Sequence, residues 1–138
     1  PVAPFRPVVG GKRLSLVEFP STVVELFGMR LPFAGGLYLR ALPDPFIRAA
    51  LRRVNRTRPG MVYIHPWELD PDHPRMKVPP HIRFAQYYRL ESCAEKLERL
   101  LGEFSFGTIG AVIGEHSFPD VVLEEAHAIE ARGKVGGG

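Results

Sequence analysis

In "MVYIHPWELD", residues 61–70, an imidazole, an indole and two carboxylates follow an apolar run. Histidine near its ordinary pKa can donate or accept a proton at neutral pH, so His65 is the candidate acid–base group. Pro66 turns the chain away behind it. Trp67 offers an apolar wall or a stacking plane, and Glu68 and Asp70 are placed to orient the imidazole or to polarise a ligand. The competing reading is a hydrogen-bonded structural histidine with two solvated loop acids beside it. Both stay open on the residues alone.

Other chemistries leave weaker traces. His65, His73 and His81 recur every eight residues, in or beside proline-rich loop. No H-x-x-x-H or H-E-x-x-H puts two ligands on one helix face, so no metal site is expected in this chain. Glu124 and His127 have (i, i+3) spacing but fall in a tail with few large apolar residues. No phosphate-binding glycine loop, nucleophile elbow or Cys–His pairing is present. The single cysteine, Cys93, permits no internal disulfide and reads as a small core or boundary residue.

An apolar run that ends in a histidine needs a scaffold to present it. Residues 61–64 show no polar alternation, the pattern of a strand buried on both faces. Val62 and Ile64 would share one face, and Met61, Tyr63 and His65 the other. Before this run, Asp44 and Pro45 open a helix on which Ile47, Ala50, Leu51 and Val54 form an apolar stripe. Arg48, Arg52, Arg53 and Arg56 take its other faces, and the helix ends at residues 58–60. Earlier still, Gly35 and Gly36 are either a tight turn before a short helix at 37–41 or backbone that lines a ligand cleft.

β-branched and aromatic residues predict strands at 14–18, 22–26 and 29–31, with Gly28 turning between the last two. Residues 1–13, rich in proline and glycine, read as an extended lead-in loop. After the loop at 71–81 a long amphipathic helix is expected. Phe84, Tyr87, Tyr88, Ala94, Leu97, Leu100 and Leu101 fall on its apolar stripe, with Glu91, Glu95, Lys96, Glu98 and Arg99 outside it. Gly102 ends that helix and Thr108 caps a shorter one. Residues 118–138 read as a frayed tail or a weakly held helix at 121–132.

The 138 residues suit one domain, and 45% hydrophobic content suffices for a core. A formal charge of +3 is too small to signal a nucleic-acid partner, and "RAALRRVNRTR" reads as a solvated helix face. No apolar run reaches the ~18 residues of a membrane span. No signal peptide opens the sequence, so neither membrane nor export is expected and the expected location is cytoplasmic. The sequence begins with Pro1 rather than Met, which predicts a piece of a longer reading frame.

Four blocks, in order, carry a resemblance: "EFPSTVVELFGMRLPFAGGLYLRALP", "VYIHPWELDPDHPRMKVPPHIRFAQYYRL", "LERLLGEFSFGTIGAVI", and the arginine-rich helix between the first two. Over roughly residues 4–113 the chain resembles the C-terminal region of polysaccharide deacetylases found in exopolysaccharide and exosortase (PEP-CTERM) gene clusters of bacteria. These belong to carbohydrate esterase family 4, the NodB-homology enzymes. The resemblance implies a distorted (β/α) barrel and hydrolysis of a sugar N-acetyl group with a divalent metal, zinc by preference. It implies an Asp and two His as metal ligands and another Asp as base, all in an N-terminal part whose motifs this chain lacks. The apolar–x–His form of "VYIHP" matches the family's general acid, so that role carries over to His65.

The expectations are then as follows. The fold is α/β, the C-terminal fragment of a distorted barrel with short N-terminal strands and two main helices. Residues 1–117 are the deacetylase-like part and 118–138 a weakly structured tail. His65 is catalytic, in a cleft formed with Gly35, Gly36, Tyr63, Trp67 and Glu68. The partners are a polysaccharide, the missing N-terminal part and, through unpaired strand edges, a second copy. Alone, the chain is expected to be inactive. The alternative is a non-catalytic packing module, or one that binds glycan or protein.

Overall fold

The computed structural model describes residues 1–123. They form a mixed α/β structure of two compact units, one built from residues 3–20 with the chain from 109 onward, the other from residues 21–108. In the first unit, β1 (Arg6–Val9) lies between β2 (Lys12–Arg13) and β5 (Asp120–Leu123). β2 pairs antiparallel, with Val8 opposite Arg13, and β5 parallel, with Val8 opposite Val122. Gly10 and Gly11 connect β1 to β2 with φ of 56° and 74°, the left-handed pair that a two-residue hairpin turn demands. Residues 6–13 are therefore a hairpin, where a loop over 1–13 was expected. Pro7 lacks a ladder donor, yet its carbonyl accepts from the Leu14 N–H.

The strand expected at 14–18 reduces to a bridge between Phe5 and Glu18. At the other end, residues 120–123 are strand where a frayed tail or helix was expected. The remainder of that tail, with Glu124 and His127, lies outside the described residues. α5 (Ile109–Glu115) also belongs to this unit.

The second unit opens with the hairpin of β3 (Val23–Leu26) and β4 (Met29–Pro32), turned by Phe27 and Gly28 at φ of 52° and 77°. Neither sheet closes into a barrel. α1 (Gly36–Ala41) and α2 (Asp44–Asn55) follow. Ile47, Ala50, Leu51 and Val54 of α2 are buried against Val24, Phe33, Leu39, Cys93 and Leu100. Each large side chain so buried stabilises the fold by about 1.5–3 kcal/mol. The exposed pairing of Arg52 with Glu103 contributes at most about 1 kcal/mol, so packing and not charge holds α2.

The long helix expected after residue 80 is broken. α3 (Pro80–Tyr87) ends, Arg89 takes a left-handed conformation at φ 50°, and α4 (Cys93–Glu103) follows a short 3₁₀ turn at Leu90–Ser92. The cause is chemical. The Arg40 guanidinium takes the carbonyls of Ala85, Gln86 and Tyr88, which a continuous helix would have bonded to its own N–H groups. The break resets the buried face of α4 to Cys93, Lys96 and Leu100. Phe84 and Leu101, expected on the buried stripe, are about half exposed, and Lys96, expected outside it, is buried.

Candidate functional site

The segment expected to be a strand at residues 61–64 is extended but has no strand partner. Its backbone is bonded at every second residue by three different devices. The Thr22 hydroxyl, itself buried, accepts from the Met61 N–H and donates to the Met61 carbonyl, both at 2.7 Å. The Tyr63 N–H donates to the Ala34 carbonyl at 2.9 Å, and the Tyr63 carbonyl accepts from the Gly36 N–H at 3.3 Å. The His65 N–H donates to Glu68 Oε2 at 3.0 Å. The backbone of this segment is thus satisfied without a ladder.

Side chains alternate accordingly. Val62 and Ile64 pack on the core, while Tyr63 is 56% exposed and His65 is exposed. The segment is not buried on both faces, as its apolar run had suggested. Tyr63 and His65 share the open face, with ring centroids 4.8 Å apart in an edge-on arrangement.

Gly35 and Gly36 meet this segment in a single parallel bridge to Tyr63. Gly35 is there because of space. A Cβ on it would lie 2.3 Å from the Tyr63 carbonyl oxygen, far inside van der Waals contact. Gly36 is there because of conformation, with φ of 53°. Together with Tyr63, Thr22 and Tyr38 they line a largely apolar cavity of about 250 Å³.

Beyond His65 the chain makes a 3₁₀ turn, Pro66–Leu69, closed by the Glu68 N–H donating to the His65 carbonyl. The Trp67 ring stacks on the His65 ring with centroids 5.9 Å apart. His73 then lies 5.6 Å from Trp67, and Tyr87 6.4 Å from His73. Five rings, Tyr63, His65, Trp67, His73 and Tyr87, are therefore each neighbour to the next. Trp67 lines a second cavity, of about 220 Å³, with His73, Met76, Gln86 and Tyr87.

Glu68 is not on the surface. Its side chain and that of Arg40 are each 1% exposed, and they form an ion pair. Arg40 Nε and Nη2 both reach Glu68 Oε1, at 3.2 and 3.1 Å, which leaves Oε2 for His65. The other guanidinium N–H groups go to the carbonyls that end α3, so all five Arg40 donors are used. Lys96, 7% exposed, performs the same service for α1, donating to the carbonyls of Leu39, Arg40 and Leu42. Burial holds the Lys96 ammonium below its ordinary pKa and pushes the neighbouring Cys93 thiol up, with the Glu68 charge adding to the latter.

These two buried cations are what the residue pattern did not reveal. Arg40 stands in a short helix with no charged neighbour in sequence, and Lys96 sits among surface-like acids. Asp70 is exposed, its carboxylate accepting from the Asp72 N–H. Among the described residues, no three His, Cys, Asp or Glu side chains gather as a metal site.

Residues 1–114 match the family described as a domain of unknown function, DUF3473. The chain belongs to this family. Neither curated proteins nor solved structures give a match. Within the described residues of this DUF3473 chain, no helix is long and apolar enough to cross a membrane.

Proposed function

We propose that this DUF3473 chain is the C-terminal portion of a metal-dependent polysaccharide N-deacetylase and supplies its proton donor, His65. One observation carries the reading. The His65 ring is open to solvent between Tyr63 and Trp67, while its backbone N–H is tied to a buried Glu68–Arg40 pair. An exposed imidazole on an immobilised backbone is what a positioned general acid requires. Its ring is flanked by aromatic side chains that an apolar sugar face can contact.

On this reading water adds to the acetamide carbonyl of the sugar. As the tetrahedral intermediate collapses, the carbon–nitrogen bond breaks and the imidazolium of His65 gives its proton to the departing amine. Acetate and a free amino sugar result. The divalent metal implied by the resemblance does not fit residues described here, so its ligands and the base belong to the N-terminal half. The barrel is likewise completed by strands from that half, which would cover the open face of Tyr63.

The test is His65→Ala in a protein that joins this chain to the metal-binding half. The deacetylation kcat should fall about 10²–10⁴-fold, with a smaller change in KM, because a transition-state proton transfer is removed. An alanine variant with full activity would reject the assignment and leave a non-catalytic binding or packing module as the reading.

A further inference from the structure

Arg75, Lys77 and Arg83 line a groove of about 550 Å³ together with Met76, Val78 and Pro79, and no carboxylate stands among its walls. All three cations are exposed, and among the described residues none has an acidic partner. Most other arginines of this unit that carry an exposed charge are matched: Arg30 by Glu25, Arg48 and Arg52 by Glu103, and Arg99 by Asp44 and Glu95. Arg53 and Arg56 also lack a partner, but the hollow they line contains Glu25.

The loop that carries the cations is held in place. Tyr87, itself buried, accepts from the Met76 N–H at 3.0 Å and donates to the Pro74 carbonyl at 3.4 Å. The Arg75 guanidinium carbon lies 4.8 Å from the centre of the Tyr87 ring, a cation–π contact. Pro74, Pro79 and Pro80 stiffen the same stretch by fixing φ. A charge that serves only solubility needs no fixed backbone. Cations held ready around a hollow lower the ordering cost of a ligand that brings the opposite charge.

From these facts we infer that the groove binds an anionic ligand through carboxylate, phosphate or sulfate oxygens. The two guanidinium groups offer forked donors to a pair of oxygens, and Lys77 adds a point charge. The volume falls within the ~300–1,000 Å³ of small-ligand sites. The inference goes beyond the proton-donor reading of His65 and does not rest on it, so either can fail alone.

The experiment titrates the 138-residue chain by calorimetry at low ionic strength with two anionic probes, inorganic phosphate and polygalacturonate, and with neutral dextran. Saturable binding of at least one anion is expected, with a Kd on the order of 1 mM for phosphate, and none of dextran. Binding of phosphate assigns the groove to a free oxyanion group, and binding of polygalacturonate alone assigns it to a polyanion. Lys77→Gln combined with Arg83→Gln leaves the Arg75–Tyr87 contact intact and should weaken binding about 25-fold, fivefold for each exposed charge pair. Arg53→Gln combined with Arg56→Gln removes the same charge elsewhere and should stay within about twofold of wild type. Equal losses in the two double variants would show a response to net charge only and overturn the inference. So would the absence of binding by both anions, or binding of dextran as tight as that of polygalacturonate.

Discussion

Arg40 Nη2 lies 3.1 Å from Glu68 Oε1 in the interior, and the other oxygen of that carboxylate holds the backbone of His65. One ion pair thus joins the end of α3 to the start of the turn that carries the candidate acid. Removing one member leaves a buried charge without compensation, which typically costs about 3–5 kcal/mol. We predict a loss of that order for Arg40→Met, read as a lower urea midpoint, with the carbonyls of Ala85, Gln86 and Tyr88 also orphaned. A midpoint within error of wild type would mean that the pair contributes nothing to the fold.

Gly35→Ala should disturb the same region through space and not charge. The new Cβ would fall 2.3 Å from the Tyr63 carbonyl oxygen, and backbone cannot rotate away as a side-chain end can. We expect a loss of about 1–3 kcal/mol, the usual cost of overpacking. Thermal melts of the variant against wild type measure it, and an unchanged melting temperature would show that residues 35 and 63 are not held together.

Cys93 gives a pH-dependent expectation. Burial first, then the Glu68 charge, raises its thiol pKa above the ordinary value. The folded chain therefore keeps the proton where the unfolded chain has released it. This contribution to stability is complete below the unfolded pKa of about 8.5 and is lost as pH rises from there through the folded pKa. We predict that the urea midpoint of wild type falls more steeply between pH 8 and pH 10 than that of Cys93→Ala. Equal slopes would contradict it. Lys96, whose lowered pKa acts in the opposite sense, is present in both proteins.

The chain by itself should retain no stoichiometric zinc at neutral pH. The motive is the absence, among the described residues, of any three gathered ligand side chains. Metal analysis after dialysis decides the matter, and one tightly held zinc per chain would refute the prediction.

The residue pattern by itself determined the local features. The apolar stripe of α2, the turn at Gly28 and the shared face of Tyr63 and His65 follow from periods of 3.6 and 2, which depend only on neighbours in the chain. Gly10 and Gly11 carry the same kind of turn signal, masked in the residue pattern by the prolines around them.

Tertiary structure alone decided the rest. Whether residues 80–103 form one helix or two depended on Arg40, some 45 residues earlier, reaching their carbonyls. The burial of Glu68, which local sequence marks as a loop acid, required that same guanidinium. Residues 61–65 look like a strand, yet they are held by a threonine hydroxyl, the backbone of Ala34 and Gly36, and a carboxylate. A hydrogen bond between distant groups leaves no period in a sequence, because donor and acceptor are brought together only when the elements between them have packed.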